Sequence, residues 1–251
     1  MIQDVDTKLK ESINDKEFSF INAEHHYRFE RKFTVPNVFS FAEIEHQIKR
    51  NSALFREVYQ KRQVNNIYFD TAGYNDYFDN VLGISDRKKM RIRWYGDTFG
   101  QINKPVLEVK IKKGLVGDKW TYKLKSFMLN NDFMNSYIQK ILKESEIPLP
   151  ILESMKMTMP TLLNSYSRTY YLSADNRYRI TLDFDLLYHK IDRRFNNFDK
   201  KPEKDKNKII ELKYGLLDDD DAKSISTQFS FRLNKNSKYV NGVDAHKHFP
   251  Q

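Results

Sequence analysis

Apolar and polar residues alternate in eight segments of the chain. In the segment 88–96, Arg91 and Arg93 fall on one side of the alternation. The residues between and after them, Ile92 and Trp94, fall on the other. Because successive side chains of a strand point to opposite faces, this pattern predicts strands with one charged and one apolar face. The predicted strands cover residues 27–35, 63–70, 88–96, 106–112, 119–125, 165–172, 177–184 and 209–215.

Other segments repeat apolar residues every three or four positions, which predicts amphipathic helices. Ser40 and Glu43 have the spacing of a capping box and open a predicted helix over residues 40–59. The aspartates at 218–221 suit a helix N-terminus better than a metal site. Further predicted helices cover residues 127–144, 151–159 and 219–231.

These elements predict a single α+β domain over residues 25–251, preceded by a polar arm over residues 1–24. The apolar face of the strands needs covering, and the amphipathic helices can cover it. Eight antiparallel strands would then close into a barrel with the helices packed outside and the charged faces inside. A barrel of that size holds its own side chains and one small ligand.

Composition adds a preference for anionic partners. Lys and Arg total 43 against 34 Asp and Glu, which gives a formal net charge of +9. The chain has no cysteine, so disulfides, thiolate metal sites and a cysteine nucleophile are excluded. We find neither an apolar leader nor a run of about eighteen apolar residues, and we therefore expect a cytoplasmic protein.

The charged faces allow two readings. A solvated sheet face explains any single strand. Taken together, the strands favour an anion site, because two like charges ~5 Å apart repel by roughly 3 kcal/mol at an effective dielectric constant of about 20. The predicted inward cations are Lys32, Arg91, Arg93, Lys110, Lys123, Arg168, Arg179 and Lys213, and the predicted inward acids are Glu30, Glu108, Asp183 and Glu211.

The anion is not held by a glycine-rich turn, since neither a P-loop motif nor a dinucleotide-binding motif occurs. Phosphate would instead be bound by the forked guanidinium groups of arginine and by lysine. The acids among these cations are then best explained as oxygen ligands for Mn²⁺ or Mg²⁺, which would bridge the phosphates.

Seven segments in this order carry a family resemblance: FERKF, RIRWY, LEVKIKKG, SYSRTYY, YRITLDFD, IIELKY and NKNSKYV. Together they resemble the VTC (vacuolar transporter chaperone) polyphosphate polymerase domain of the triphosphate tunnel metalloenzyme, or CYTH-like, superfamily. The resemblance covers about residues 25–242. It implies an eight-stranded tunnel in which a metal-dependent enzyme moves the γ-phosphate of ATP to a growing inorganic polyphosphate chain.

The resemblance also implies roles for individual residues. The catalytic cations would be Arg91, Arg93, Lys110, Arg168 and Arg179. The substrate-binding residues would be Lys32, Lys123 and Lys213, with Tyr166, Lys235, Ser237 and Lys238 at the tunnel end that holds polymer or orthophosphate. The metal ligand would be Glu211, with Glu30, Glu108 and Asp183 as further acids.

The chain departs from the superfamily pattern E-x-E-x-K, because Arg28 stands where the first acid is expected. One acid fewer favours the polymerase branch over the cyclase and thiamine-triphosphatase branches, and leaves metal binding dependent on Glu211. We expect a stand-alone, bacterial version of the domain. Any coupling to a membrane would then need a membrane-protein partner.

Two alternatives remain open at this point. An inorganic or nucleoside triphosphatase could use the same tunnel, with Glu30, Glu108 or Asp183 activating water. A non-catalytic module that binds polyphosphate is the second alternative. Nucleic acid is not an expected partner, because its binding calls for accessible aromatic side chains, and here the aromatics alternate onto the face predicted to be buried.

Overall fold

The computed structural model describes residues 28–113 and 116–246, which form a mixed α+β fold with a large antiparallel sheet. The predicted arm at 1–24 lies outside these residues. The strands are β1 (Phe29–Val35), β2 (Arg56–Asp70), β3 (Arg87–Tyr95), β4 (Gly100–Ile102), β5 (Val106–Lys113), β6 (Val116–Lys123), β7 (Phe127–Leu129), β8 (Met159–Leu172), β9 (Arg179–Lys190), β10 (Glu203–Asp205), β11 (Lys208–Tyr214) and β12 (Arg232–Leu233). The α-helices are α1 (Phe41–Arg50), α2 (Asn75–Val81), α3 (Asn135–Lys143), α4 (Leu149–Lys156), α5 (Asp219–Thr227) and α6 (Lys238–His246).

Ten strands form one sheet in the order β12-β1-β11-β9-β8-β2-β3-β5-β6, with β10 paired to β9. Strands β4 and β7 form a separate pair. All eight predicted strands are present. The predicted closed eight-stranded barrel is not confirmed, because over the described ranges the sheet keeps two edges, β6 and β12, that backbone hydrogen bonds do not join.

The sheet nevertheless curls strongly. Lys110 on β5 lies 3.1 Å from Glu30 on β1, although these strands are six places apart in the sheet order. In a flat sheet they would be about 29 Å apart. The curl turns the polar face inward, and we call the space that it encloses the cationic cleft.

The outer, apolar face is covered by helices, as predicted. One buried cluster joins β3 to helices α3 and α4, and a second joins β1, β9 and β11 to α1 and α5. Ile92 and Trp94, which lie beside the arginines of β3 in sequence, are 0% and 1% exposed. The apolar half of the alternation therefore forms the core, and the charged half faces the cleft.

All four helix predictions extend too far, by three or four residues at the helices that end at Lys156 and Thr227 and by more at the other two. Helix α1 keeps the Ser40 and Glu43 capping box but ends at Arg50, and a turn with Leu54 at φ +52° leads directly into β2. The first residues of the helix predicted at 127–144 form β7, which pairs with β4 and buries Phe127. Sheet pairing here overrides local helical periodicity.

Helices α2 and α6 were not predicted, whereas the aspartate run does open helix α5. In the described part of the chain, the helices all lack the length and apolar character needed to cross a membrane.

The connection from β2 into α2 is fixed by a buried carboxylate. Asp70 accepts hydrogen bonds from the backbone N–H groups of Thr71, Asp76 and Tyr77 and from the hydroxyl of Tyr239. The side chain of Asp76 is buried beside it, and its Oδ2 has no hydrogen-bond partner. Burial and the charge of Asp70 raise the pKa of Asp76 to about 7.

Replacing Asp76 by Asn should stabilise the protein at alkaline pH. Because the native pKa of Asp76 lies above its unfolded value, the native state binds the extra proton, and stability falls as pH rises from about 4 to about 7. We expect Asp76→Asn to raise the free energy of unfolding by about 1–3 kcal/mol at pH 8 and to change it little at pH 4. Urea unfolding at both pH values measures this, with Asp86→Asn as the exposed control. An equal effect at both pH values would contradict it.

Candidate functional site

Among the residues that the structure describes, the cationic cleft brings together a group of nine cationic side chains and four carboxylates. The cations are Lys32, Lys89, Arg91, Arg93, Lys110, Lys119, Arg168, Lys213 and Lys238. The carboxylates are Glu30, Glu108, Asp183 and Glu211. Residues far apart in the chain thus form one charged lining, in which eight of the nine cations lie on strands and Lys238 lies on helix α6.

One group centres on Glu108, which stands directly opposite Arg91 in the register of β3 and β5. The carboxylate lies 2.7 Å from Arg91, 3.0 Å from Lys119 and 3.5 Å from Arg93. Burial alone would raise the pKa of Glu108, but the charges of Arg91 and Arg93 outweigh it and hold the pKa well below its usual range. Glu108 is therefore an ionised acceptor shared by three cations.

A second group centres on Asp183, which is fully buried. Both carboxylate oxygens accept from the guanidinium of Arg168, and Lys238 lies 2.6 Å from Oδ2. Burial opposes ionisation of Asp183, yet the charges of Arg168 and Lys238 lower its pKa. Glu211 lies on the other side of Lys238, at 3.3 Å from the ammonium. The first residue of α6 thus lies between two carboxylates of the sheet.

The third group links the two sides of the curled sheet. Glu211 lies 2.9 Å from Lys213 and 3.7 Å from Lys32. Lys32 lies 2.9 Å from Glu30, which in turn contacts Lys110 across the cleft. Burial would raise the pKa of Glu30, but the charge of Lys32 lowers it. All four carboxylates are therefore held ionised by neighbouring cations.

Tyr166 connects the first group to the second. The guanidinium of Arg168 lies 5.3 Å from the ring centre and the ammonium of Lys238 lies 5.0 Å from it. The Tyr166 hydroxyl accepts a hydrogen bond of 3.3 Å from Arg93. Burial disfavours ionisation of the phenol, but the nearby Arg168 and Arg93 lower the pKa of Tyr166.

The structure adds Lys89 and Lys119 to the predicted site. The ammonium of Lys89 donates to the hydroxyl of Ser237 at 2.9 Å. Burial lowers the pKa of Lys89 to about 7, and the charges of Lys32 and Lys110 add to the shift. Both lysines share a strand face with predicted cations, so the alternation alone carried the signal that could have found them.

Three predicted cations lie at the margins of the cleft and are exposed. Arg179 stands opposite Lys213 in the register of β9 and β11, and Lys123 lies at the end of β6. The ammonium of Lys235 approaches Gly83, in the turn that precedes β3. Their assigned roles stay predictions, as do those of the other site residues.

The four acids offer the hard oxygen donors that Mn²⁺ or Mg²⁺ requires, and Asp183 and Glu211 converge on one cationic group, the ammonium of Lys238. Within residues 28–113 and 116–246, however, no group of three or more His, Asp or Glu side chains is arranged to hold a metal ion. The residues therefore fit a divalent ion only if substrate oxygens complete its shell, as they do for many Mg²⁺ sites.

Comparison with solved structures finds several remote similarities. A protein from Pyrococcus horikoshii OT3 is 13% identical, with 86% of this chain and 98% of that chain covered and a TM-score of 0.49. A candidate adenylate cyclase from Vibrio parahaemolyticus is 11% identical, with coverages of 88% and 99% and a TM-score of 0.49. A candidate adenylyl cyclase from Hippeastrum, described as having a dominant triphosphatase activity, is 12% identical, with coverages of 87% and 95% and a TM-score of 0.45.

The sequence matches none of the curated proteins with which it was compared. The family model described as the VTC domain matches residues 27–247, which include every strand and helix of the described fold. The chain therefore belongs to the VTC domain family.

Proposed function

We propose that the protein is a metal-dependent phosphotransferase that moves the γ-phosphate of ATP to a growing inorganic polyphosphate chain in the cationic cleft. The observation that carries this proposal is the excess of nine cations over four carboxylates on one inward face. Membership of the VTC domain family supports it. A chain of phosphates has the charge density and the length to neutralise such a lining.

Phosphoryl transfer depends on positioning and on neutralising charge more than on covalent help from the protein. Arg91, Arg93 and Arg168 would bind phosphate oxygens through their forked donors. Lys32, Lys110 and the other lysines would neutralise the remaining charge. Glu211 would hold Mn²⁺ or Mg²⁺, which would supply further neutralisation of charge in the transition state.

The state of the carboxylates favours transfer to phosphate over hydrolysis. A triphosphatase must activate water, and Glu30, Glu108 and Asp183 were its candidate bases. Each has a lowered pKa and accepts from at least two cations, so each is a weak base at neutral pH. The terminal phosphate of a polymer is already ionised at that pH and needs no base.

Purified protein incubated with ATP and Mn²⁺ should produce a ladder of polyphosphate chains, resolved from orthophosphate on a gel. Glu211→Gln and Arg91→Gln should each lower the rate by about 100-fold or more, because Arg91 would neutralise charge in the transition state directly and Glu211 would hold the metal ion that does so. Lys190→Gln, an exposed cation outside the cleft, is the control. Orthophosphate as the only product would favour a triphosphatase, and binding without turnover would favour a non-catalytic module.

Binding of tripolyphosphate at pH 8 should take up protons. With a pKa of about 7, Lys89 is largely neutral at pH 8, and a polyanion beside it would raise the pKa. Calorimetry in two buffers of different ionisation enthalpy measures the uptake. We expect Lys89→Met to remove about one proton of it, and Lys119→Met to leave it in place. Equal uptake by the wild type and Lys89→Met would contradict this assignment.

Removing a carboxylate from the cleft should make the protein more dependent on a bound polyanion for its stability. Asp183→Asn leaves Arg168 and Lys238 without their shared carboxylate. We therefore expect the free energy of unfolding to fall by about 3–5 kcal/mol in anion-free buffer. Tripolyphosphate should then raise the melting temperature of the variant more than that of the wild type. Asp192→Asn breaks an exposed pair and should cost less than about 1 kcal/mol. A smaller ligand-induced shift in Asp183→Asn would count against the proposal.

A further inference from the structure

A cluster of three tyrosines and one arginine lies at one end of the cationic cleft. The guanidinium carbon of Arg62 is 5.1 Å from the ring centre of Tyr59 and 5.6 Å from those of Tyr95 and Tyr170. Tyr59 and Tyr170 also meet edge to face, with ring centres 5.7 Å apart. We call these four residues the tyrosine collar.

The collar continues the lining of the cleft. Tyr95 follows Arg93 by two residues on β3, and Tyr170 follows Arg168 by two residues on β8. Side chains two residues apart share a strand face and are separated by about 7 Å. The rings therefore lie one step beyond two arginines that would bind phosphate.

The local structure of β2 brings the other two members to the same place. The pairing of β2 with β8 shifts register on both sides of Tyr59, and Arg62 resumes it opposite Arg168. Such bulges re-aim side chains within a sheet. Tyr59 and Tyr95 remain 53% and 51% exposed, so about half of each residue is accessible beside Arg62.

We propose that the tyrosine collar binds the nucleobase of a nucleoside triphosphate whose phosphates lie in the cationic cleft. This inference rests on the proposed function. Tyrosine rings and the planar guanidinium of arginine are the surfaces on which bases stack in proteins. Arg93 and Tyr95 are about 7 Å apart along the strand. This distance leaves room for the ribose between phosphates bound at Arg93 and a nucleobase stacked at Tyr95.

Two consequences follow if the nucleobase is bound at the tyrosine collar. The γ-phosphate would point along the cleft, away from Tyr95 and towards Lys89 and Ser237. These two side chains are hydrogen-bonded to each other. Transfer would then occur deep in the cleft, with the acceptor chain entering from the opposite end. Since ring stacking tolerates any base, ATP and GTP should bind with affinities within about threefold of each other.

Calorimetric titration of the full chain with ATP and with inorganic tripolyphosphate tests the assignment, because tripolyphosphate has no base. Tyr95→Ala and Tyr59→Ala should each weaken ATP binding by about tenfold and tripolyphosphate binding by less than about twofold. Tyr95→Phe keeps the ring and should restore ATP affinity. Phe195→Ala removes an exposed ring outside the collar and is the matched control.

An equal loss for both ligands in the alanine variants would overturn the inference, since the collar would then only support the phosphate-binding residues. Unchanged ATP affinity in both variants would also overturn it. These results leave the proposed function standing. Failure of the wild type to bind tripolyphosphate would overturn the proposed function and this inference together.

Discussion

Repulsion among like charges on one inward sheet face is the constraint on which the rest of this structure depends. Two cations ~5 Å apart repel by roughly 3 kcal/mol at an effective dielectric constant of about 20, and the cleft holds nine cations against four carboxylates. The carboxylates are shared to limit this cost, as Glu108 is shared by three cations. At Lys89, burial and then the charges of Lys32 and Lys110 still lower the pKa of the ammonium.

The outer face of the sheet holds the charged lining in place. On β3 the arginines alternate with Ile92 and Trp94, which are buried against helices α3 and α4. Moving either arginine out of the cleft would expose these core residues, because a strand cannot shift by one position without exchanging its faces. Apolar burial therefore keeps together cations that would otherwise separate, and a bound polyanion would remove the remaining strain.

Alternation in the sequence was enough to predict the eight main strands and which side chains share a face. It did not reveal distances across the sheet, so the pairing of Lys110 with Glu30 and the open edges at β6 and β12 came only from the structure. The position of Lys238 between Asp183 and Glu211 depends on helix α6, whose short apolar pattern gave no clear signal. Lys89 has the same place in the alternation as Arg91, two residues away on β3.

The arrangement of side chains along the cleft affects whether water or a phosphate group accepts the transferred phosphate. A side chain that activates water as the nucleophile must be a free base near the γ-phosphate, and the carboxylates of this face are instead engaged by Arg91, Arg168 and Lys238. A phosphate acceptor needs only cations to offset its charge as it approaches another phosphate. With aromatic rings at the end marked by Tyr95, and lysines at the end marked by Lys89, the lining differs at its two ends. A donor and a polymeric acceptor could then enter from opposite ends without competing for the same groups.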